Sequence, residues 1–183
     1  MNHQTATAIL EFLQALGNVN SWCGATYLQK TAYFLQELGG VGLQLHPDFI
    51  LYKHGPYSFG LQDLMSELIA YGFLTQKLNP PPYTPSLRLT DSGRRFLERS
   101  NAAVRHAVAA GFVARKLGSK DVVALEKLGT ALFIKRAWPT MTAEDQAQKV
   151  NSLKPHVSVA EAMMAAEEVS RLEQEAYIGS EHS

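Results

Sequence analysis

The chain has 183 residues, of which 46% are hydrophobic, so it can bury a core, and we expect one domain or one domain with a helical extension. Seventeen basic and 17 acidic residues give zero net charge at pH 7, which excludes a strong overall attraction to nucleic acid or anionic lipid. The single cysteine, Cys23, excludes an internal disulfide and a multi-cysteine zinc site, and no apolar run approaches the roughly 18 residues of a membrane span.

Two helices are predicted at the start of the chain. Apolar residues recur at helical spacing over residues 5–16, and Gly17 ends the pattern. Residues 27–38 are apolar on most sides, as in a central core helix, and are followed by two glycines. An extended run at 49–52 and a tight turn at 54–58 come next.

A third helix and a β-hairpin follow. The helix over residues 58–71 should begin at Ser58, because Pro56 prevents an earlier start and a serine hydroxyl can accept hydrogen bonds from first-turn amides. Residues 73–78 and 87–90 are predicted to be two strands joined by a proline-rich loop. Thr90 is then expected to cap a helix over about 92–117, in which Gly111 would permit a break.

The rest of the chain is predicted to be helical. Ser119 is expected to cap a helix over 120–137. Thr142 with Asp145 is a variant of the capping box, and Ser158 with Glu161 is a full capping box. The last helix should reach about residue 177.

This order of elements predicts an α+β fold, mostly α, with a winged-helix core, a short β-hairpin wing and a C-terminal helical extension. We expect a winged-helix domain over residues 1–100 and a helical part over 101–178 that packs on it in the same domain. Residues 179–183 are predicted to be a disordered tail.

The sequence offers no strong candidate for catalysis, for a metal or for a cofactor. The six histidines are scattered, with no pair at helical i, i+4 spacing, so we expect no metal site. His54, Tyr57 and Ser58 form the one compact polar cluster, in which Ser58 could act as nucleophile and His54 as base. However, Ser58 is predicted to be a helix cap, and no carboxylate lies nearby in sequence to orient the imidazole. Cys23 is expected to be a packing residue rather than a reactive thiol. We therefore expect a protein without enzymatic activity.

Charge along the chain bears on whether the winged helix reads DNA. The helix over 58–71 would enter the major groove, yet it contains Asp63 and Glu67 and no lysine or arginine. Residues 88–120 carry eight basic and two acidic side chains, and a solvated helix face explains them as well as a DNA contact does. Weak DNA binding would involve Arg88, Arg94, Arg95 and Arg99.

Several motifs carry a resemblance to a known family. They are Leu28-Gln29-Lys30, Tyr52-x-x-Gly55-Pro56-Tyr57-Ser58, Gly72-Phe73-Leu74 and Leu89-Thr90-x-x-Gly93. In these the chain resembles the YwgA-like proteins and, more loosely, the Panacea/SocA antitoxin domains. Residues 125–137, Leu153-Lys154-Pro155-His156 and residues 160–166 are similar to the C-terminal half of the toxin-binding domain of DarG antitoxins. The resemblance implies a domain that binds another protein; in DarG-type antitoxins such a domain caps a DNA-modifying ADP-ribosyltransferase toxin, partly by DNA mimicry.

We therefore expect a soluble, cytoplasmic, antitoxin-like protein that binds and restrains a protein partner in a toxin–antitoxin or phage-defence system. The residues expected to contact the partner are Lys53, His54, Tyr57, Phe59, Gln62 and Asp63 near the turn and Tyr83 on the wing. The alternative is a winged-helix DNA-binding transcription regulator, dimeric through its C-terminal helices.

Overall fold

A computed structural model describes residues 2–44, 48–80, 84–100 and 103–181, and these form eight α-helices and four short strands. The elements are α1 (His3–Asn18), α2 (Ala25–Gly39), β1 (Ile50–Tyr52), β2 (Gly55–Tyr57), α3 (Phe59–Ala70), β3 (Leu74–Lys77), β4 (Ser86–Leu89), α4 (Asp91–Arg99), α5 (Ala103–Leu117), α6 (Val122–Ala137), α7 (Ala143–Leu153) and α8 (Val159–Glu181). The predicted class, α+β and mostly α, is confirmed. The finer assignment to a winged helix stays a prediction.

The strands form two separate antiparallel hairpins. The predicted wing pairs Leu74 with Leu89 and Lys77 with Ser86, so its two strands lie where the sequence placed them to within a residue or two. The predicted tight turn at 54–58 proves to be part of a second hairpin, β1–β2, with Tyr52 opposite Gly55. Gly55 has φ 94°, a conformation that side chains with a Cβ rarely adopt, so a glycine suits this turn.

Most predicted helix starts are confirmed by their capping hydrogen bonds. The hydroxyl of Ser58 accepts from the amide of Leu61, and the hydroxyl of Thr90 accepts from the amide of Gly93. Ser158 and Glu161 form the reciprocal capping box at α8, in which the Glu161 carboxylate also accepts from the Ser158 amide at 2.9 Å.

Several helix boundaries differ from the prediction. Helix α1, expected over 5–16 and ended by Gly17, runs from His3 to Asn18. The helix expected over 92–117 is two helices, α4 and α5, which end and begin on either side of Ser100, whereas Gly111 lies inside α5. Ser100 has an extended backbone, and its hydroxyl donates to the Phe96 carbonyl, so the side chain occupies an acceptor at the end of α4. Helix α6 is capped by Asp121, which accepts from the Ala124 amide at 2.7 Å, and not by Ser119.

The C-terminal helix is longer than expected. Helix α8 continues to Glu181, beyond the predicted end near residue 177 and into the predicted tail, and residues 182 and 183 lie outside the described part of the chain.

Helix α2 lies at the centre of the molecule, in contact with α3, α5, α6 and α8. Its side chains Leu28, Phe34 and Leu35 are fully buried. Helix α1 packs against α5, and α8 packs against α6 and α7. One hydrophobic cluster therefore joins the N-terminal elements to the C-terminal helices. None of the helices in the described ranges has both the length and the apolar character needed to cross a bilayer.

Candidate functional site

The hairpin β1–β2 is held against α2 by a pair of reciprocal hydrogen bonds. The side-chain amide nitrogen of Gln29 donates to the Ser58 backbone carbonyl at 2.9 Å, and the Ser58 backbone amide donates to the side-chain oxygen Oε1 of Gln29 at 2.9 Å. Both residues are buried. Satisfying these backbone groups inside the protein fixes the point where the hairpin turns into α3. We call β1, β2 and their turn the anchored hairpin.

Two buried lysines on the core side of the anchored hairpin donate hydrogen bonds to its tip. Lys30 of α2 donates to the carbonyl of His54. Lys154, directly after α7, donates to the carbonyl of Tyr52 at 2.8 Å and to that of Lys53. The two lysines are only 2% and 5% exposed, so their ammonium groups lie in a poorly hydrated environment. Backbone carbonyls of one turn are thereby satisfied by side chains more than 20 and about 100 residues away in sequence.

Glu126 of α6 supplies a carboxylate beneath the same turn. It lies 3.8 Å from the Lys154 ammonium, 3.7 Å from Nδ1 of His54 and 3.4 Å from Nε2 of His156. Burial lowers the pKa of Lys30 to about 8, against the opposing effect of the Glu126 charge. Burial also lowers the pKa of Lys154, again opposed by Glu126. We refer to Lys30, Lys154 and Glu126 as the buried charge cluster.

Close backbone packing completes the support of the anchored hairpin. A Cβ placed on Gly129 of α6 would lie 3.0 Å from Cδ of Pro56. One placed on Gly55 would lie 3.4 Å from the Lys30 ammonium and 3.5 Å from the Glu126 carbonyl. Two glycines therefore allow α6 and the hairpin to approach each other this closely.

Three of the motifs that carry the family resemblance meet at this place. Gln29 bonds Ser58, Lys30 bonds His54, and Lys154 bonds Tyr52 of the same hairpin. Their shared task here is to position a surface hairpin.

An aromatic cluster covers the outer side of the anchored hairpin. The rings of Tyr52, Tyr57 and Phe59 have centroids 5.0 to 6.0 Å apart. Tyr52 is 55% exposed and Phe59 is 46% exposed, and Ile50 beside them is exposed as well. Tyr57 and Phe59 were predicted, whereas Tyr52 was missed because its place beside Tyr57 depends on the strand register. The alternation of Ile50 and Tyr52 along a strand was the available signal.

A cleft of about 280 Å³ lies beside the aromatic cluster. It is bounded by the start of α2, the anchored hairpin and α3, and we call it the hairpin cleft. Its lining includes Ala25, Thr26, Lys30, His54, Tyr57 and Gln62. The cleft thus joins an aromatic rim to the ammonium-bearing side chain of Lys30.

Four of the other predicted partner-contact residues lie near the aromatic cluster. Lys53 and His54 are exposed at the tip of the anchored hairpin, and Gln62 and Asp63 are exposed on the first turns of α3. These four lie close to the aromatic cluster along the chain and on consecutive elements. Tyr83 lies outside the described residues.

The predicted basic residues lie on β4 and α4. Arg88 and Arg94 line a groove of about 340 Å³, together with Gln14 and Asn18 of α1, and no α3 residue is among those described as lining it. Arg94 pairs with Asp91 at 2.7 Å, and Arg95 donates to the hydroxyl of Ser92. Arg99 is exposed on the last turn of α4. The cationic groove is therefore bounded by α1, β4 and α4 rather than by α3, the helix that would enter the major groove in a DNA-binding winged helix.

Ser58, His54 and Cys23 were considered above as possible catalytic residues, and the structure shows what surrounds each of them. Ser58 is fully buried and its hydroxyl caps α3. Glu126 does lie beside His54, a neighbour that the sequence could not reveal because the two are 72 positions apart. Cys23 is buried, and burial raises the pKa of its thiol to about 12, so it is protonated at neutral pH.

Within the described ranges, no three histidine, cysteine, aspartate or glutamate side chains are arranged to hold a metal ion. No protein-family model matches the chain, and no curated protein matches it significantly.

Proposed function

We propose that the chain is a non-enzymatic, antitoxin-like domain that binds a protein partner through the aromatic cluster on the anchored hairpin. The observation that carries this proposal is the exposure of Tyr52 and Phe59 beside Tyr57 on a backbone held in place by buried side chains. Aromatic residues dominate the binding energy of many protein interfaces. A surface already held in one conformation loses less entropy when it binds.

Charge on the neighbouring helix supports a protein rather than DNA as the main partner. The exposed face of α3 presents Gln62, Asp63, Ser66 and Glu67 and no lysine or arginine. Carboxylates here would repel DNA phosphates, and no guanidinium is available on this helix to bond a guanine edge. Next to a protein with a cationic surface, the same carboxylates would be favourable.

The family resemblance points to the class of partner. A DNA-modifying ADP-ribosyltransferase toxin must itself bind DNA, so its binding surface is expected to be cationic. Asp63 and Glu67 on α3 would complement such a surface, which fits the DNA mimicry implied by the resemblance. The proposal places this interaction in the cytoplasm, in a toxin–antitoxin or phage-defence system.

Capture of the partner from the native host tests the proposed surface. Three baits are compared: the wild-type full chain, the Tyr57→Ala/Phe59→Ala variant and a control variant. The control, Val108→Ala/Met164→Ala, truncates two exposed apolar side chains on α5 and α8, outside the aromatic cluster. We expect wild type and control to capture the same protein equally, and the aromatic variant to capture at least about tenfold less, as for loss of a hot spot. Equal capture by all three, with folding verified by circular dichroism, would contradict the proposed surface.

A winged-helix DNA-binding regulator is the second candidate, and the groove that contains Arg88 and Arg94 is the observation in its favour. Binding of the full chain to duplex DNA of arbitrary sequence, measured at low and at physiological salt, separates the two functions. The main proposal predicts weak binding that Arg88→Ala/Arg94→Ala changes little. Micromolar affinity that falls steeply with salt and is lost in that variant would favour the regulator.

A further inference from the structure

The charges of the buried charge cluster do not balance. Lys30 and Lys154 each carry a positive charge, and Glu126 contributes a single carboxylate. No second acidic side chain among the described residues pairs with either lysine. His54 and His156 next to Glu126 are largely exposed, and on protonation they would add positive charge. One positive charge is therefore left without an acidic partner in a poorly hydrated site.

This excess charge lies beside the hairpin cleft. Lys30 lines the cleft, whereas Lys154 is not among the residues described as lining it. The Lys30 ammonium has one assigned acceptor, the His54 carbonyl, and an ammonium can donate three hydrogen bonds. The side chain that borders the cleft is thus the one with unused capacity to bind an acceptor.

The N-terminus of α2 adds a smaller positive electrostatic potential at the hairpin cleft. Ala25 and Thr26 of its first turn line the cleft. The helix begins after Gly24, with no side-chain cap and no acidic residue in its first turn. Its first amides carry partial positive charge toward this end. The lysine excess and the helix end favour an anion at the same place.

We propose that the hairpin cleft receives an acidic side chain, aspartate or glutamate, of the protein partner, with the carboxylate next to the ammonium group of Lys30. The inference rests on the proposed function, because the aromatic cluster that binds the partner borders this cleft. A single carboxylate balances an excess of one charge and forms a charge-assisted hydrogen bond in a site that water reaches poorly. Tyr52 and Tyr57, which line the cleft, would pack against the methylene groups of the same side chain.

The surroundings favour a protein carboxylate over a nucleic acid phosphate. A nucleic acid brings a row of negative charges, and Asp63 and Glu67 lie on the same helix as Gln62 of the cleft. An isolated carboxylate on an otherwise apolar peptide avoids that repulsion and complements the aromatic rim.

Selection from a displayed library of random peptides tests the inference on the full chain. Peptides are selected on wild type and counter-screened on Tyr57→Ala/Phe59→Ala, so that those kept depend on the aromatic cluster. We expect the kept peptides to be enriched in aspartate or glutamate at one position next to apolar residues. In a synthesised peptide, replacing that glutamate with glutamine should weaken binding to wild type about tenfold or more, the usual effect of losing a charged hydrogen bond.

Two lysine variants locate the contact. For the Lys30→Met variant, the affinities of the glutamate peptide and the glutamine peptide should differ by no more than about twofold. The Lys154→Met variant loses the same charge outside the cleft, so it should keep most of the wild-type preference for the glutamate peptide. Kept peptides without an acidic preference on wild type would overturn this inference and leave the proposed function standing. Equal loss in both lysine variants would also overturn it. A library that yields no peptide dependent on Tyr57 and Phe59 would count against the proposed surface as well.

Discussion

Lysine is a residue that proteins seldom bury, and two of them lie almost fully buried beneath one surface hairpin. The protein accommodates Lys30 and Lys154 there because their ammonium groups donate to backbone carbonyls of the turn. Glu126 offsets part of their charge. At this scale the site depends on a few long polar side chains, each of which spans from a helix to the hairpin.

Lys30 gives the first prediction at the residue scale. Its pKa is about 8 in the folded protein against an ordinary value of 10.5, so between these values the unfolded chain binds the proton more strongly than the folded one. Folded stability contributed by this residue should therefore rise as the pH increases from about 8 to about 10. Allowing for solvent screening at the cleft, we expect the free energy of unfolding of wild type to gain about 1 to 2 kcal/mol relative to Lys30→Met over this range.

Urea unfolding of both proteins at several pH values measures this difference. Comparison with Lys30→Met cancels the titration of groups that do not interact with Lys30, among them Tyr27 and Tyr33, whose pKa values burial raises. A difference that stays constant, or that declines with pH, would show that Lys30 is not the buried ammonium described above.

At the scale of elements, the anchored hairpin is two three-residue strands that could not be stable alone. It is held by α2 through Gln29, by α6 through the contact between Gly129 and Pro56, and by Lys154 at the end of α7. The hairpin is therefore an outer layer of the helical packing, and its position follows the positions of three helices.

Gly129→Val tests this dependence on α6. The added side chain would meet Pro56, whose ring atoms lie 3.0 and 3.3 Å from the position of a Cβ, so the hairpin must shift. We expect a loss of about 1 to 3 kcal/mol in the free energy of unfolding, as for other overpacked contacts, and weaker peptide binding. The matched control is Gly17→Val in α1, where a Cβ would meet no atom within 4 Å. Equal stability of the two variants would mean that α6 does not support the hairpin closely.

At the scale of the whole molecule, the C-terminal helices are part of the site. Helix α2 is buried between α5 and α6, and Glu126, Gly129 and Lys154 come from the C-terminal part of the chain. A partner that binds the aromatic cluster would rest on a surface supported by both ends of the sequence. The expected homodimer through C-terminal helices remains a prediction of the alternative function.

Local signals in the sequence were sufficient for the elements. Capping residues such as Ser58, Thr90 and Thr142 accept from the amide three positions further along the chain, so their effect is present in any short segment. The break at Ser100 and the cap at Asp121 were missed because several polar residues lie near each boundary, and local sequence places a helix end only to within a residue or two.

The sequence by itself determined the mostly helical class, the hairpin of β3 and β4 and the aromatic residues at the turn, because periodicity, caps and turn residues act over a few positions. Only the tertiary structure decided that Gln29, Lys30, Glu126 and Lys154 meet under one hairpin, that Tyr52 joins Tyr57, and that an excess positive charge borders a cleft. The physical reason is range: burial and electrostatic pairing act between groups that are close in space, and the hydrogen bonds of Lys30 and Lys154 to the hairpin join residues that are 24 and 102 positions apart along the chain.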